Sequence, residues 1–187
     1  MNKFPIVLTL VLLVSCGQGT ELVPDVDHRN EKERLYGDAV AAEEEGRFGD
    51  SEAALEDLLI LDGDSPGNAI AEEMLDKVRK ESVNAALEAV QLINEAQSNF
   101  KLTRRRYAIS IEELVEQFML PEDPSRANIG YDITMRGSPN ADRYSITAHP
   151  TSETSAKRSY FSDETSVVRW SLGEVVTRDS PPIGKEN

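Results

Sequence analysis

The chain has 187 residues, with 34 acidic and 20 basic side chains, a net charge of −14, one cysteine and 39% hydrophobic residues. That length accommodates one ordinary domain or two small ones, and the hydrophobic content is too high for a wholly disordered acidic chain. A single cysteine excludes a disulfide scaffold and any multi-cysteine zinc or iron–sulfur site; the acidic balance argues against general nucleic-acid binding, which needs a basic face for phosphate.

Residues 1–16 read MNKFPIVLTLVLLVSC. Lys3 supplies a positive start, and the apolar run from Phe4 to Val14 is eleven residues long. A membrane-spanning helix needs about 20, so the run suits a secretory signal instead. Ser15 then precedes Cys16 in Leu13-Val14-Ser15-Cys16. This resembles the lipobox of bacterial lipoproteins. The resemblance implies cleavage before Cys16, diacylglycerol on its thiol and acylation, for example by palmitate, of the new amino group. Several acyl chains anchor firmly where one binds only marginally. Gly17 follows where an Asp would signal inner-membrane retention, so an outer-membrane, periplasm-facing location is expected. The alternative is an ordinary secretory signal in which Cys16 is incidental. Processing removes Lys3 and takes the net charge from −14 to −15. Residues 17–80 carry 18 acids and 7 bases, residues 81–187 carry 16 and 12, an asymmetry that suggests two units.

Residues 17–29 are polar, aperiodic and contain Gly and Pro, as expected of a tether. From about Asn30, Leu35, Ala39, Ala42 and Gly46 recur at helical spacing, and Gly46-Arg47-Phe48-Gly49-Asp50 breaks the pattern with Asp50 placed to cap a second helix. That helix carries Ala54, Leu58 and Leu61 on one stripe and ends at Asp62-Gly63-Asp64-Ser65-Pro66. The arrangement Ala42, Gly46-Arg47-Phe48, Ala54, Leu58-Leu59, Asp62 and Pro66 resembles a single tetratricopeptide-type repeat. The Gly46–Ala54 spacing is longer than usual and no second copy follows, although arrays need about three. A generic helical hairpin is the alternative.

A long helix is predicted from Gly67 or Asn68 to Leu102, with Val83, Ala86, Leu87, Val90, Ile93, Ala96 and Phe100 on its apolar stripe. Ser110 and Glu113 form a capping box for a short helix with apolar positions Ile111, Leu114, Val115 and Phe118. From residue 129 the period falls to two. Tyr131, Ile133 and Met135 predict one strand, Tyr144, Ile146 and Ala148 a second, Lys157–Ser162 a third and Val167–Leu172 a fourth. Short turns between them imply an antiparallel meander, covered by the long helix in an α+β arrangement.

The order of these elements carries a second resemblance. Phe100, the loop Arg106-Tyr107-Ala108-Ile109-Ser110, the Ile-Glu-Glu-Leu helix, Gly130-Tyr131, the run from Tyr144 to Pro150, Arg158-Ser159-Tyr160-Phe161 and Val167-Val168-Arg169 together resemble the globular part of type IV pilins and type II secretion pseudopilins, over roughly residues 83–172. This implies a pilin-like fold and a role in a secretion or pilus-related assembly. The chain departs from that family in lacking its amino-terminal peptidase site and hydrophobic helix. Pseudopilins can bind calcium, but Asp163 and Glu164 alone make no matching ligand cluster.

The expected organisation is a signal at 1–15, a lipidated Cys16 and tether at 16–29, an acidic hairpin at 30–66, the α+β domain at 67–176 and a loose tail at 177–187. His28 and His149 have no second histidine or cysteine at metal spacing, and no nucleophile or nucleotide motif occurs. No catalytic residue, metal or cofactor beyond the covalent lipid on Cys16 is expected. Arg104-Arg105-Arg106 is the one basic run. It suits a helix carboxyl end, where each cation gains roughly 0.3–1 kcal/mol, and is also the candidate docking point for an acidic partner surface or lipid headgroups. The expectation is a non-enzymatic, lipid-anchored envelope protein acting by protein–protein contact. A tetratricopeptide-like adaptor for outer-membrane assembly is the alternative, and a periplasmic ligand-binding or hydrolytic protein the third option.

Overall fold

In the computed structural model, which describes residues 28–62, 68–152, 157–172 and 175–184, the helices α1 (His28–Glu44), α2 (Phe48–Asp62), α3 (Asn68–Arg104) and α4 (Ile111–Glu116) precede the strands β1 (Tyr131–Gly137), β2 (Tyr144–Pro150), β3 (Arg158–Asp163) and β4 (Arg169–Leu172). Cys16, the signal and the tether up to residue 27 lie outside the described residues, as do residues 63–67 between α2 and α3.

Helix α1 ends where Gly46 takes φ 72°. Gly46 N–H donates to Glu43 O (2.9 Å) and Arg47 N–H to Ala42 O (2.8 Å), the paired bonds of a Schellman stop, for which glycine carries no Cβ penalty. The chain re-enters a helix at Phe48. Asp50, expected as its cap, instead lies inside the first turn, because Asp50 and Ser51 N–H already donate to Arg47 O. Its carboxylate favours that end of the helix dipole and holds the Arg47 side chain.

Helix α2 packs against both α1 and α3, and its buried positions are Ser51, Glu52, Leu55 and Leu58, with Ala54 and Leu61 only partly covered. The stripe expected through Ala54, Leu58 and Leu61 is thus displaced: Leu58 is buried, but the buried face runs through Ser51 and Leu55, and Ala54 and Leu61 lie at its edge. Leu35 and Ala39 from α1, Leu55 and Leu58 from α2, and Ala71, Leu75 and Val78 from α3 form the hairpin core.

The organising element is α3, 37 residues long and hence about 55 Å at 1.5 Å per residue. Ala71, Leu75, Val78, Ser82, Ala86, Ala89, Ile93, Ala96 and Phe100 are buried along it at spacings of three and four, one face of a 3.6-residue helix. The first third of that stripe closes the hairpin core; the remainder packs on the sheet. Phe48 touches both cores.

The sheet is antiparallel in the order β1-β2-β3-β4, so the fold is α+β with a helix over a four-stranded meander. Tyr131, Ile133 and Met135 point inward while Asp132, Thr134 and Arg136 face solvent, and Tyr144, Ile146 and Ala148 repeat the pattern, as strand alternation requires. Strands β3 and β4 begin one and two residues later than expected. Residues 177–183, expected as part of a loose tail, instead run along the free edge of β4. Trp170 N–H donates to Pro181 O (3.0 Å), Ile183 N–H to Val168 O (3.0 Å), and the Arg169 guanidinium to Ser180 O (2.8 Å). The backbone groups of an otherwise unpaired edge strand are thereby satisfied.

Candidate interaction surfaces

At the carboxyl end of α3 the three arginines have different fates. The Arg106 guanidinium pairs with the Glu113 carboxylate and lies 5.1 Å from the centre of the Phe100 ring. That pairing, with a backbone bond from Ile109, holds Glu113 below the usual carboxylate range against its partial burial. The Glu113 carboxylate thus reaches Ile109 N–H rather than Ser110 N–H, and the capping box closes one residue early, while Ser110 Oγ accepts from Glu113 N–H at 3.3 Å. Arg104 donates to the neutral Gln117 side chain and makes no ion pair among the described residues. Arg105 takes φ 59° and is exposed. Arg106 is a brace; Arg104 and Arg105 face outward.

Beside them stands Phe118, expected as one of the apolar positions of the short helix. Helix α4 stops at Glu116, and Phe118 N–H donates to Val115 O (3.0 Å) and Met119 N–H to Leu114 O (2.8 Å). Phe118 therefore occupies the position of a Schellman stop that glycine ordinarily fills, at φ 57°. The reversal sends Leu120 into the core and leaves Phe118 94% exposed. Leu102, on the last turn of α3, is 81% exposed. The bond from Arg104 to Gln117 ties the end of α3 to the residue before Phe118, so Arg104 and Phe118 share one tip, whereas Leu102, two residues earlier on the helix, projects about 200° away from Arg104. The heptad-like spacing from Ile111 to Phe118 concealed this, because periodicity cannot show where a six-residue helix stops.

At the other end of α3, a groove of about 460 Å³ lies between α1 and α3, lined by Tyr36, Val40, Glu43, Ile70, Glu73, Met74 and Lys77. Tyr36 and Ile70 are exposed, and an ion pair from Lys77 to Glu43 joins the two helices. Residues 36–43 thus lie alongside 70–77, α1 runs parallel to α3, and the amino-terminal end of α1 is remote from the tip.

The middle of α3 is fastened to the sheet by a buried polar junction for which the sequence carries no local signal. The Lys157 ammonium pairs with the Glu52 carboxylate, their side chains 2% and 3% exposed. Arg79 donates to the same carboxylate (3.1 Å) and to Glu56 (3.0 Å). Ser82 Oγ donates to Ile129 O (2.6 Å), and Gly49 N–H to Asn128 O (3.0 Å). Burial is the main reason that the neighbouring Tyr131 hydroxyl titrates well above its usual range. Farther along α3, Tyr144 OH donates to Asn94 Oδ1 (2.9 Å), and Gln97 both donates to Ala108 O (3.0 Å) and accepts from its N–H (2.9 Å). Burial pushes the Tyr144 hydroxyl up to about 12.

No protein-family model, curated protein or solved structure matches the chain. The remaining residues singled out in the sequence occupy structural positions. Asp163 Oδ1 accepts from Thr165 N–H (2.9 Å) and its hydroxyl (2.6 Å), while Oδ2 accepts from Arg178 (2.6 Å). Burial raises the pKa of Asp163, but these Thr165 bonds and the Arg178 charge outweigh it and hold the carboxyl below its usual range. Glu164 also receives Arg178 (2.7 Å). Both acids are thus committed to the tail. His149 Nδ1 lies 3.2 Å from Ser159 Oγ near the end of β2. Among the described residues no group of three metal-ligating side chains converges, and no helix is long and apolar enough to cross a membrane.

Proposed function

We propose that the chain is a lipid-anchored cell-envelope protein, held at Cys16, that acts without catalysis by presenting a docking tip to a protein partner, within a secretion- or pilus-type assembly. The observation that carries this reading is the exposed tip of Phe118 with Arg104 and Arg105, held by the 55-Å-scale helix α3 at the end remote from the start of α1. An exposed aromatic beside arginines, the residue types enriched at interface hot spots, suits an interaction surface. A polar tether before α1 and a rigid helix after it suit a membrane-held spacer. The four-stranded meander covered by α3 is the arrangement that the pilin-like reading requires, and it supports that reading over the adaptor. One observation favours the adaptor nonetheless: α3 stacks on α2 as a third helix, as a following repeat would.

Photocrosslinking from the tip in native envelopes, followed by identification of the adduct, tests the partner. A secretion or pilus component is the expected product, and recovery of none refutes that assembly. Replacing Cys16→Ser tests the anchor separately: the variant should leave the membrane fraction, and unchanged membrane association refutes lipidation there.

A further inference from the structure

The outer face of the sheet carries a cationic recess that the protein-contact reading does not use. It has a volume of about 340 Å³, lies at the end where β1 turns into β2, and is lined by Arg136, Arg143, Ser145, Phe161, Glu164 and Arg178 among others. Arg136 stands opposite Ser145 in the ladder, and at the next position on that face Ser138 N–H donates to Arg143 O (2.9 Å). Arg136 and Arg143 are therefore diagonal neighbours, about 7–8 Å apart between Cα atoms, with Ser145 beside both. Ser145 in turn stands opposite Asp163, where Arg178 closes the far side.

The charges of this recess do not balance internally. Its two carboxylates, Asp163 and Glu164, are both taken by Arg178. Arg143 reaches only Asp142, at 3.9 Å, and Asp142 is itself held by the Ser138 hydroxyl. The Arg136 guanidinium and the Ser145 hydroxyl make no hydrogen bond or ion pair among the described residues. Like charges on neighbouring strand positions repel, and an anion between them reverses the sign. A carboxylate has two oxygens, enough for one guanidinium fork, whereas a phosphoryl group has three and nearly twice the charge, enough for two forks and a hydroxyl. Phe161 shares the outer face with Asp163, two residues away, and is half-buried there, an apolar wall beside the cations. We propose that the recess binds a phosphate monoester, with the phosphoryl group between Arg136, Arg143 and Ser145 and the organic part against Phe161. The net charge of −14 opposes any anion at long range, but salt screens charges beyond about 8 Å, and the three acids beside the recess are already engaged. This inference stands apart from the docking tip and from the lipid anchor, and failure of either leaves it untouched.

The test uses the full chain, purified in a non-ionic detergent, with calorimetry for affinity and isotope-labelled amide shifts for location. Phenyl phosphate should bind saturably at millimolar concentration and shift the amides of Arg136, Arg143 and Ser145. It should bind more tightly than inorganic phosphate, and benzoate should bind most weakly. Arg136→Gln and Arg143→Gln should each weaken phenyl phosphate about tenfold, and Phe161→Leu should remove its advantage over inorganic phosphate. Far-UV circular dichroism melts matching the parent chain show that a lost response is not misfolding. Phosphatidic acid mixed into the micelles, set against glycerol phosphate with the same headgroup, separates the sources. Tighter binding of the first assigns the site to a lipid headgroup, and tighter binding of the second to a soluble ester; both support the phosphoryl site. Absence of saturable binding, benzoate binding as well as phenyl phosphate, or affinity unmoved by both glutamine variants overturns the proposal.

Discussion

Replacing Glu52→Gln removes the one carboxylate that faces the Lys157 ammonium among the described residues, in a place where both side chains are almost completely buried. What remains around the cation is Ser82 Oγ at 3.5 Å and the Tyr131 ring, 5.7 Å to its centre, neither of which carries a formal charge. Breaking a buried pair from one side costs about 3–5 kcal/mol, because the surviving ion stays desolvated. For a chain of this size that corresponds to a fall in Tm of roughly 6–20 °C. The reverse change, Lys157→Met, should cost less, about 2 kcal/mol or below, because Glu52 retains Arg79. Replacing both, Glu52→Leu with Lys157→Met, should return to within about 1 kcal/mol of the parent, since Arg79 retains Glu56. Urea unfolding measures all three, followed by helical circular dichroism and by the fluorescence of Trp170, the chain's one tryptophan. A Glu52→Gln loss below about 1 kcal/mol, or a double variant no more stable than Glu52→Gln alone, would refute the view that desolvation of an unpaired ion governs this junction.

Other outcomes follow from local geometry. A Cβ at Gly137 would overlap Ile109 Cα and lie 2.9 Å from Ala108 O; both are backbone atoms, so Gly137→Ala should cost more than about 2 kcal/mol in urea unfolding. Gly49→Ala meets chiefly the Asn128 side chain, which can rotate, and should cost less. Phe118→Gly relieves a left-handed conformation and uncovers no core, so calorimetry should find stability unchanged or raised by up to about 1 kcal/mol; a loss would mean that the ring packs within the fold. Asp163 and Glu113 are held below their unfolded values, so the folded chain binds fewer protons there and their stabilisation is complete above about pH 4 and fades as pH falls through the lowered values. The stability gap between the parent and Arg178→Gln should therefore narrow in acid, and a gap that widens below pH 4 contradicts the assignment.

The strand positions were legible because alternation is a property of the extended backbone. Tyr131, Ile133 and Met135 point inward whatever lies above them, provided one face is buried. The stripe from Val83 to Phe100 was legible for the equivalent helical reason, and Ser110 marked the start of α4 correctly. The polar members of the same stripe were not. Ser82, Asn94 and Gln97 are buried because Ile129 O, Tyr144 OH and the Ala108 backbone meet them, and those partners come from other parts of the chain. Of the arginine run, the sequence indicated a surface cluster but could not separate the Arg106 brace from the outward pair, since Glu113 is seven residues away across a turn.

By itself, the sequence determined the composition limits, the acidic amino-terminal half, the helix-then-strand order and the antiparallel meander, all of which follow from periods and turn residues spanning a few positions. Only the tertiary structure decided that one face of α3 serves two cores and that α2 packs against both α1 and α3. It alone joined Lys157 to Glu52 across 105 residues and turned Phe118 outward. Each of these depends on which surfaces the chain brings together after closing loops of tens of residues. A local pattern specifies how a segment can fold, whereas burial, ion pairing and exposure are settled by the neighbour that arrives.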